Sequence, residues 1–170
     1  PTAPTVVNGT ASFATAGNIL NITNSHNAII NWGSFSIGIN ELTKFIQPSA
    51  LSAVLNRVTG QDPSAILGAL QSNGRVFLVN PNGIVFGAGA QIDVAGLVAS
   101  TLNLSNDDFL NNRMRFTDGA GAGMEEVIEM CFECHAARAR LAVDHLASAT
   151  EEIEPERVEI PAQRARQADA

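Results

Sequence analysis

A chain of 170 residues is long enough for one domain with a real core. Its net charge of −7 and pI near 4.8 argue against a broad electrostatic grip on nucleic acid or anionic lipid, and no apolar run approaches the roughly 20 residues of a membrane helix. Pro1 to Thr5 lack the charged and hydrophobic segments of a signal peptide, so the sequence reads as a mature or trimmed product.

Along the chain the first runs are written with a period of two. Leu20 and Ile22 alternate with Asn21 and Thr23, Ile30 and Trp32 flank Asn31, and Phe35 and Ile37 alternate with Ser34 and Ser36. Each run predicts a strand that buries one face and wets the other. Asp62-Pro63 before Ser64 to Leu70 predicts a short helix, with Asp62 as cap and Pro63 in the first turn. Val76 to Val79 is continuously apolar, as in a strand covered on both faces. Ile92 to Leu104 returns to alternation around Gly96, and Ser105 to Leu110 reads as a capped helical turn. Asn8-Gly9, Asn73-Gly74, Asn82-Gly83 and Gly87-Ala88-Gly89 punctuate these runs as turns. The result is an all-β domain of many short strands, for which periodicity leaves a sandwich and a stacked β-helix equally open.

The chain changes language near residue 118. Asparagine recurs up to Asn112 and never afterwards, and eleven of the seventeen acidic residues lie beyond Asp118. Gly119 to Gly123 is a Gly/Ala linker. The expected organisation is a β domain over 1–118, a linker over 119–123, and an acidic tail over 124–170 that is α-helical or disordered. Within the tail, Glu125 to Ala149 carries a helical apolar stripe that includes Val127, Met130 and Leu141.

An ordered series of segments narrows the first piece. Ala28 to Gly38, Phe45 to Ser49, Leu55 to Val58, Gly74 to Phe86 and Gly96 to Leu102 follow one another as in the amino-terminal two-partner secretion (TPS) domain of the filamentous haemagglutinin and high-molecular-weight adhesin class. The resemblance covers residues 5 to 118, the first part of that domain. It implies a right-handed parallel β-helix, partial here, with Trp32, Phe35 and Phe77 in its core. By the same resemblance the domain is exported through the periplasm and read there by the soluble domains of a dedicated outer-membrane barrel transporter. The corner Asn80-Pro81-Asn82-Gly83-Ile84 is the expected recognition element, open to capture by strand addition. The resemblance also implies a secreted or cell-surface adhesin or virulence factor that meets host or neighbouring cells through a passenger missing from this chain. No cofactor and no nucleic-acid partner are expected.

Other chemistry is thinly represented. Trp32 alternates with Ile30 and reads as core; His26 sits in the polar turn Asn24 to Asn27 and reads as surface. Asn8, Asn21 and Asn103 begin glycosylation-type triplets, a pattern that arises by chance in an Asn-rich chain. No nucleophile elbow, phosphate loop or metalloprotease histidine pair occurs, and no enzyme is expected. The alternative reading is a small metal or haem protein whose site is Cys131, Cys134 and His135, since Cys-x-x-Cys-His is the pattern of covalent haem attachment. His145 stands eleven residues beyond Cys134, or roughly 16 Å along a helix, too far for one metal to touch both.

Overall fold

The computed structural model describes residues 1–117 and the strand 127–130. All belong to the first of two units, 1–135; the second, 136–170, lies outside the described residues. In chain order the strands are β1 (Thr5–Asn8), β2 (Ala11–Ala16), β3 (Ile19–Asn24), β4 (Ala28–Trp32), β5 (Leu42–Ile46), β6 (Ala53–Val58), β7 (Ser64–Ile66), β8 (Ala69–Val79), β9 (Ile84–Phe86), β10 (Gln91–Ser100), β11 (Asn103–Leu104), β12 (Phe116–Thr117) and β13 (Val127–Met130). One short helix, α1 (Asn106–Leu110), lies between β11 and β12.

Parallel stacking builds a β-solenoid of about four turns. On the first face, Ile22, Phe45, Ser72 and Val94 fall in one row across β3, β5, β8 and β10. On the second face, Ile30, Asn56, Leu78 and Ala99 do the same across β4, β6, β8 and β10. The third face is shorter, with Ile37 bridged to Ile66 and β7 parallel to β9. β8 and β10 each run unbroken across two faces. Two antiparallel strands start the solenoid, β1 on β4 and β2 on β3.

The interior is one cluster that includes Ile22, Ile30, Trp32, Phe35, Phe45, Val76, Leu78 and Leu97. A second cluster lies on the outside of the second face, where Ile29, Leu55, Phe77 and Val98 are covered by Leu104 and Phe109. Val76 and Leu78 therefore face inward while Phe77 and Val79 face the outer cover, which explains an apolar run with no polar gaps. Trp32 and Phe35 pack edge to face at 5.4 Å between ring centres, as do Phe77 and Phe109 at 5.2 Å.

Three sequence expectations are corrected. Ser64 to Leu70 is not a helix: β7 takes Ser64–Ile66 and β8 begins at Ala69. Coil stacking prevails over local propensity there, because the Ala65 N–H donates to Ser36 Oγ at 3.0 Å and the Ile37 N–H donates to the Ala65 carbonyl at 2.9 Å. Asn73-Gly74 is not a chain reversal but the bend where β8 passes from one face to the next. There Asn73 accepts from the Gln47 N–H and donates to the Gln47 carbonyl, both at 2.7 Å, as a backbone group would. Val127–Met130, assigned above to a helical stripe, is instead a strand antiparallel to β10, with Leu97 opposite Met130 and Ser100 opposite Val127. An uncovered strand edge offers hydrogen bonds that a β-branched Val-Ile pair is suited to take. The capped turn at Ser105 is present: Ser105 Oγ accepts from the Asp108 N–H at 3.1 Å.

Candidate recognition corner

Asn80 follows the last residue of β8 and is fully buried. Its Nδ2 donates to the Asp62 carbonyl at 3.0 Å and to Ser64 Oγ at 2.9 Å. Its Oδ1 accepts from the Asn82 N–H at 3.0 Å, closing an Asx turn. Its backbone N–H donates to the Ser100 carbonyl at 3.0 Å, and its carbonyl accepts from the Gly83 N–H at 3.1 Å. Asn80 thus ties three successive coils to one side chain and its peptide groups.

The next residues are held on that anchor. Pro81 supplies the fixed φ of a turn's second position, and both Pro81 and Asn82 are exposed. Asn82 Nδ2 reaches back to the Gly60 carbonyl at 2.8 Å. Gly83 adopts φ +109°, where an L side chain is strained, and its carbonyl accepts from the Ser64 N–H at 2.9 Å. Ile84 turns half-buried onto the interior cluster and opens β9. The five residues form a rigid corner with a polar surface of Pro81 and Asn82 and a buried root in Asn80.

Asn56 escaped the sequence reading. Fully buried, it accepts from the Trp32 indole N–H at 2.9 Å and donates to the Phe77 carbonyl at 3.2 Å. An asparagine interrupting the apolar Val54-Leu55 and Val58 run was the available signal. Arg57 is a second, lying half-buried with its guanidinium on the Leu104 carbonyl at 2.5 Å, so desolvation lowers its pKa from the usual arginine value. It fastens β11 to the second face.

Trp32, Phe35 and Phe77 are buried in the two clusters, and His26 is exposed. Asp107 and Asp108 are taken up by α1: Arg113 Nε bonds Asp108 at 2.7 Å and its Nη2 bonds Asp107. Asp108 is held below the usual carboxylate range, first by the Ser105 hydroxyl and then by Arg113. A groove of about 330 Å³ between α1 and the second face is lined by His26, Arg75, Phe77, Phe109 and Met114, with no carboxylate among its lining residues. No group of three or more metal-type side chains occurs among the described residues. Cys131, Cys134, His135 and His145 lie outside the described residues.

The fold is a parallel β-solenoid with antiparallel strands at its start and an outer cover on one face. The chain belongs to the TPS secretion domain family, which matches residues 1–128. It is similar to the heme/hemopexin-binding protein of Haemophilus influenzae strain KW20 / Rd, 46% identical over 105 residues that make up 61% of this chain and 12% of that one. A second heme/hemopexin-binding protein of Haemophilus influenzae is 44% identical over 93 residues, 55% of this chain and 10% of the relative. The crystal structure of the HMW1 secretion domain from Haemophilus influenzae superimposes with a TM-score of 0.64 at 47% identity, covering 65% of this chain and 30% of that one. The chain therefore spans about a tenth of the curated relatives and under a third of the solved domain. The family is a secretion domain rather than a catalytic one, and its exoproteins pass through the periplasm across the outer membrane.

Proposed function

We propose that residues 1–118 are the targeting signal of an exoprotein of the adhesin and haemagglutinin class, read in the periplasm by the soluble domains of its transporter at Asn80 to Ile84, with 119–123 as a linker to an appended tail. The observation that carries this reading is the corner itself. Asn80 supports its geometry from inside, so Pro81 and Asn82 present a fixed surface to a partner at little ordering cost. The exoprotein is delivered to the cell surface or released, where its passenger meets other cells. The relatives' names make heme or hemopexin the competing passenger ligand.

The test separates reading from folding. In the full chain, Pro81→Ala with Asn82→Ala alters the exposed surface and leaves the Asn80 anchor in place. Pull-down on the transporter's purified periplasmic domains is expected to drop about tenfold or more, and secretion to fall with it, while the melting temperature moves by a few degrees at most. Binding by the variant equal to that of the intact chain would reject the corner; no binding by the intact, folded chain would reject transporter recognition altogether.

A further inference from the structure

The groove between α1 and the second face runs along the side of the solenoid. His26 and Asn27 precede β4, Ala53 opens β6, and Arg75 stands beside Ala53 in β8. Phe109 to Met114, at the end of α1 and just past it, continue the lining. Three successive coils and the outer cover therefore build the groove, and β10, where the stack ends, contributes no lining residue. At about 330 Å³ it stands at the lower end of the roughly 300–1,000 Å³ of small-molecule sites.

Arg75 is left without a counterpart there. Among the described residues its side chain makes no hydrogen bond and no ion pair, and its Nε is closed to solvent with no acceptor. The stem lies over Gly96, where an added Cβ would meet it at 3.3 Å. Acceptors nearby are already engaged. The Ala53 carbonyl accepts from the Asn27 N–H and the Asn27 carbonyl from Asn8 Nδ2, both at 2.9 Å. The Asp107, Asp108 and Phe109 carbonyls accept from the N–H groups of Asn111, Arg113 and Asn112. Arg113, the other arginine of the lining, is paired with Asp107 and Asp108, and no carboxylate lines the groove among the described residues. A half-buried guanidinium without a partner is costly, and a charged acceptor brought from outside removes that cost.

We propose that this groove binds a small organic acid, whose carboxylate accepts from the Arg75 guanidinium and whose apolar body lies against Phe77, Phe109 and Met114. One uncompensated cation calls for one negative charge, which favours a carboxylate over a phosphate dianion, and the planar fork of arginine matches the two carboxylate oxygens. The rest of the lining suits an apolar body. Phe77 and Phe109 are held edge to face at 5.2 Å, and Met114, 46% exposed, is an adaptable side chain that can close on a ring. His26, also exposed and in the lining, adds an N–H donor.

Titration of the nitrogen-15-labelled full chain with benzoate, and in parallel with benzyl alcohol and inorganic phosphate, tests it. Benzoate is expected to shift the Arg75 Nε–H signal and the amides of residues 110–114 saturably, and to bind about tenfold or more tightly than either benzyl alcohol or phosphate. Arg75→Met keeps the stem over Gly96 and removes the charge; it is expected to abolish saturable binding while the melting temperature moves by a few degrees at most. Met114→Glu, at an exposed side chain, puts a carboxylate into the groove and is expected to weaken benzoate about tenfold or more. No saturable shift in the intact chain, or equal binding by either variant, overturns the proposal. Phosphate bound as tightly as benzoate rejects the ligand class. If benzoate leaves the Arg75 signal unmoved and Arg75→Met alone lowers the melting temperature by about ten degrees, the chain itself supplies the acceptor and the proposal falls.

Discussion

Gly60 sits where two coils leave no room for a side chain. A Cβ built there would lie 2.0 Å from the Gly33 carbonyl oxygen of the coil before, and one at Gly68 would lie 2.1 Å from that of Gly38. These oxygens are backbone, so relief requires the coils to part. Gly60→Ala is expected to destabilise the domain by about 1–3 kcal/mol, read by thermal unfolding. Gly89→Ala meets nothing within 4 Å and serves as the control, expected within about 0.5 kcal/mol of the parent. Sequence pattern singles out neither Gly60 nor Gly68, because their partners are one coil away. Asn80 carries the same lesson with opposite sign. Its place in a turn was legible from Pro81 and Gly83, but its burial was not, since the groups it satisfies, the Asp62 carbonyl and the Ser64 hydroxyl, come from the preceding coil.

Among elements, β3, β4 and the second half of β8 were readable because their side-chain period reports which face is covered. β7 and β9 were not. Three residues hold no period, and the Asp62-Pro63 pair before an Ala- and Leu-containing run is a sound local helix signal that loses to the ladder between successive coils. β13 illustrates the reverse bias: a four-residue strand inside a stripe of helical spacing, formed where β10 offers an edge. Removing residues 119–170 takes this strand away and bares Leu97–Ser100. The shortened domain is expected to lose soluble concentration and sediment as aggregate under conditions that keep the full chain in solution. Equal solubility of the two would show that β13 does not protect β10.

For the molecule as a whole, strand character and the two-faced covering of β8 came from pattern, whereas the solenoid came from resemblance in an ordered set of segments. Pattern could not choose between sandwich and solenoid because both bury alternate residues; the deciding quantity is register between coils, such as Ile30, Asn56, Leu78 and Ala99 in one row. The recognition proposed for the corner draws on this scale too, since the corner is held by the Gly60, Asp62, Ser64 and Ser100 positions around it.

The antiparallel strands at the start give the molecule a beginning. β1 and β2 occupy the edges of β4 and β3 in the direction opposite to every coil that follows. A chain without residues 1–16 would present bare β3 and β4 at one end and β9 with the first half of β10 at the other, two ends of matching strand direction. Such a pairing is head to tail and never closes, so the product is a filament of unlimited length. Thioflavin-positive fibres from the shortened protein, against dispersed particles from the intact one, are the expected result, and a monodisperse shortened protein would show that the first sixteen residues are not what limits growth to one direction.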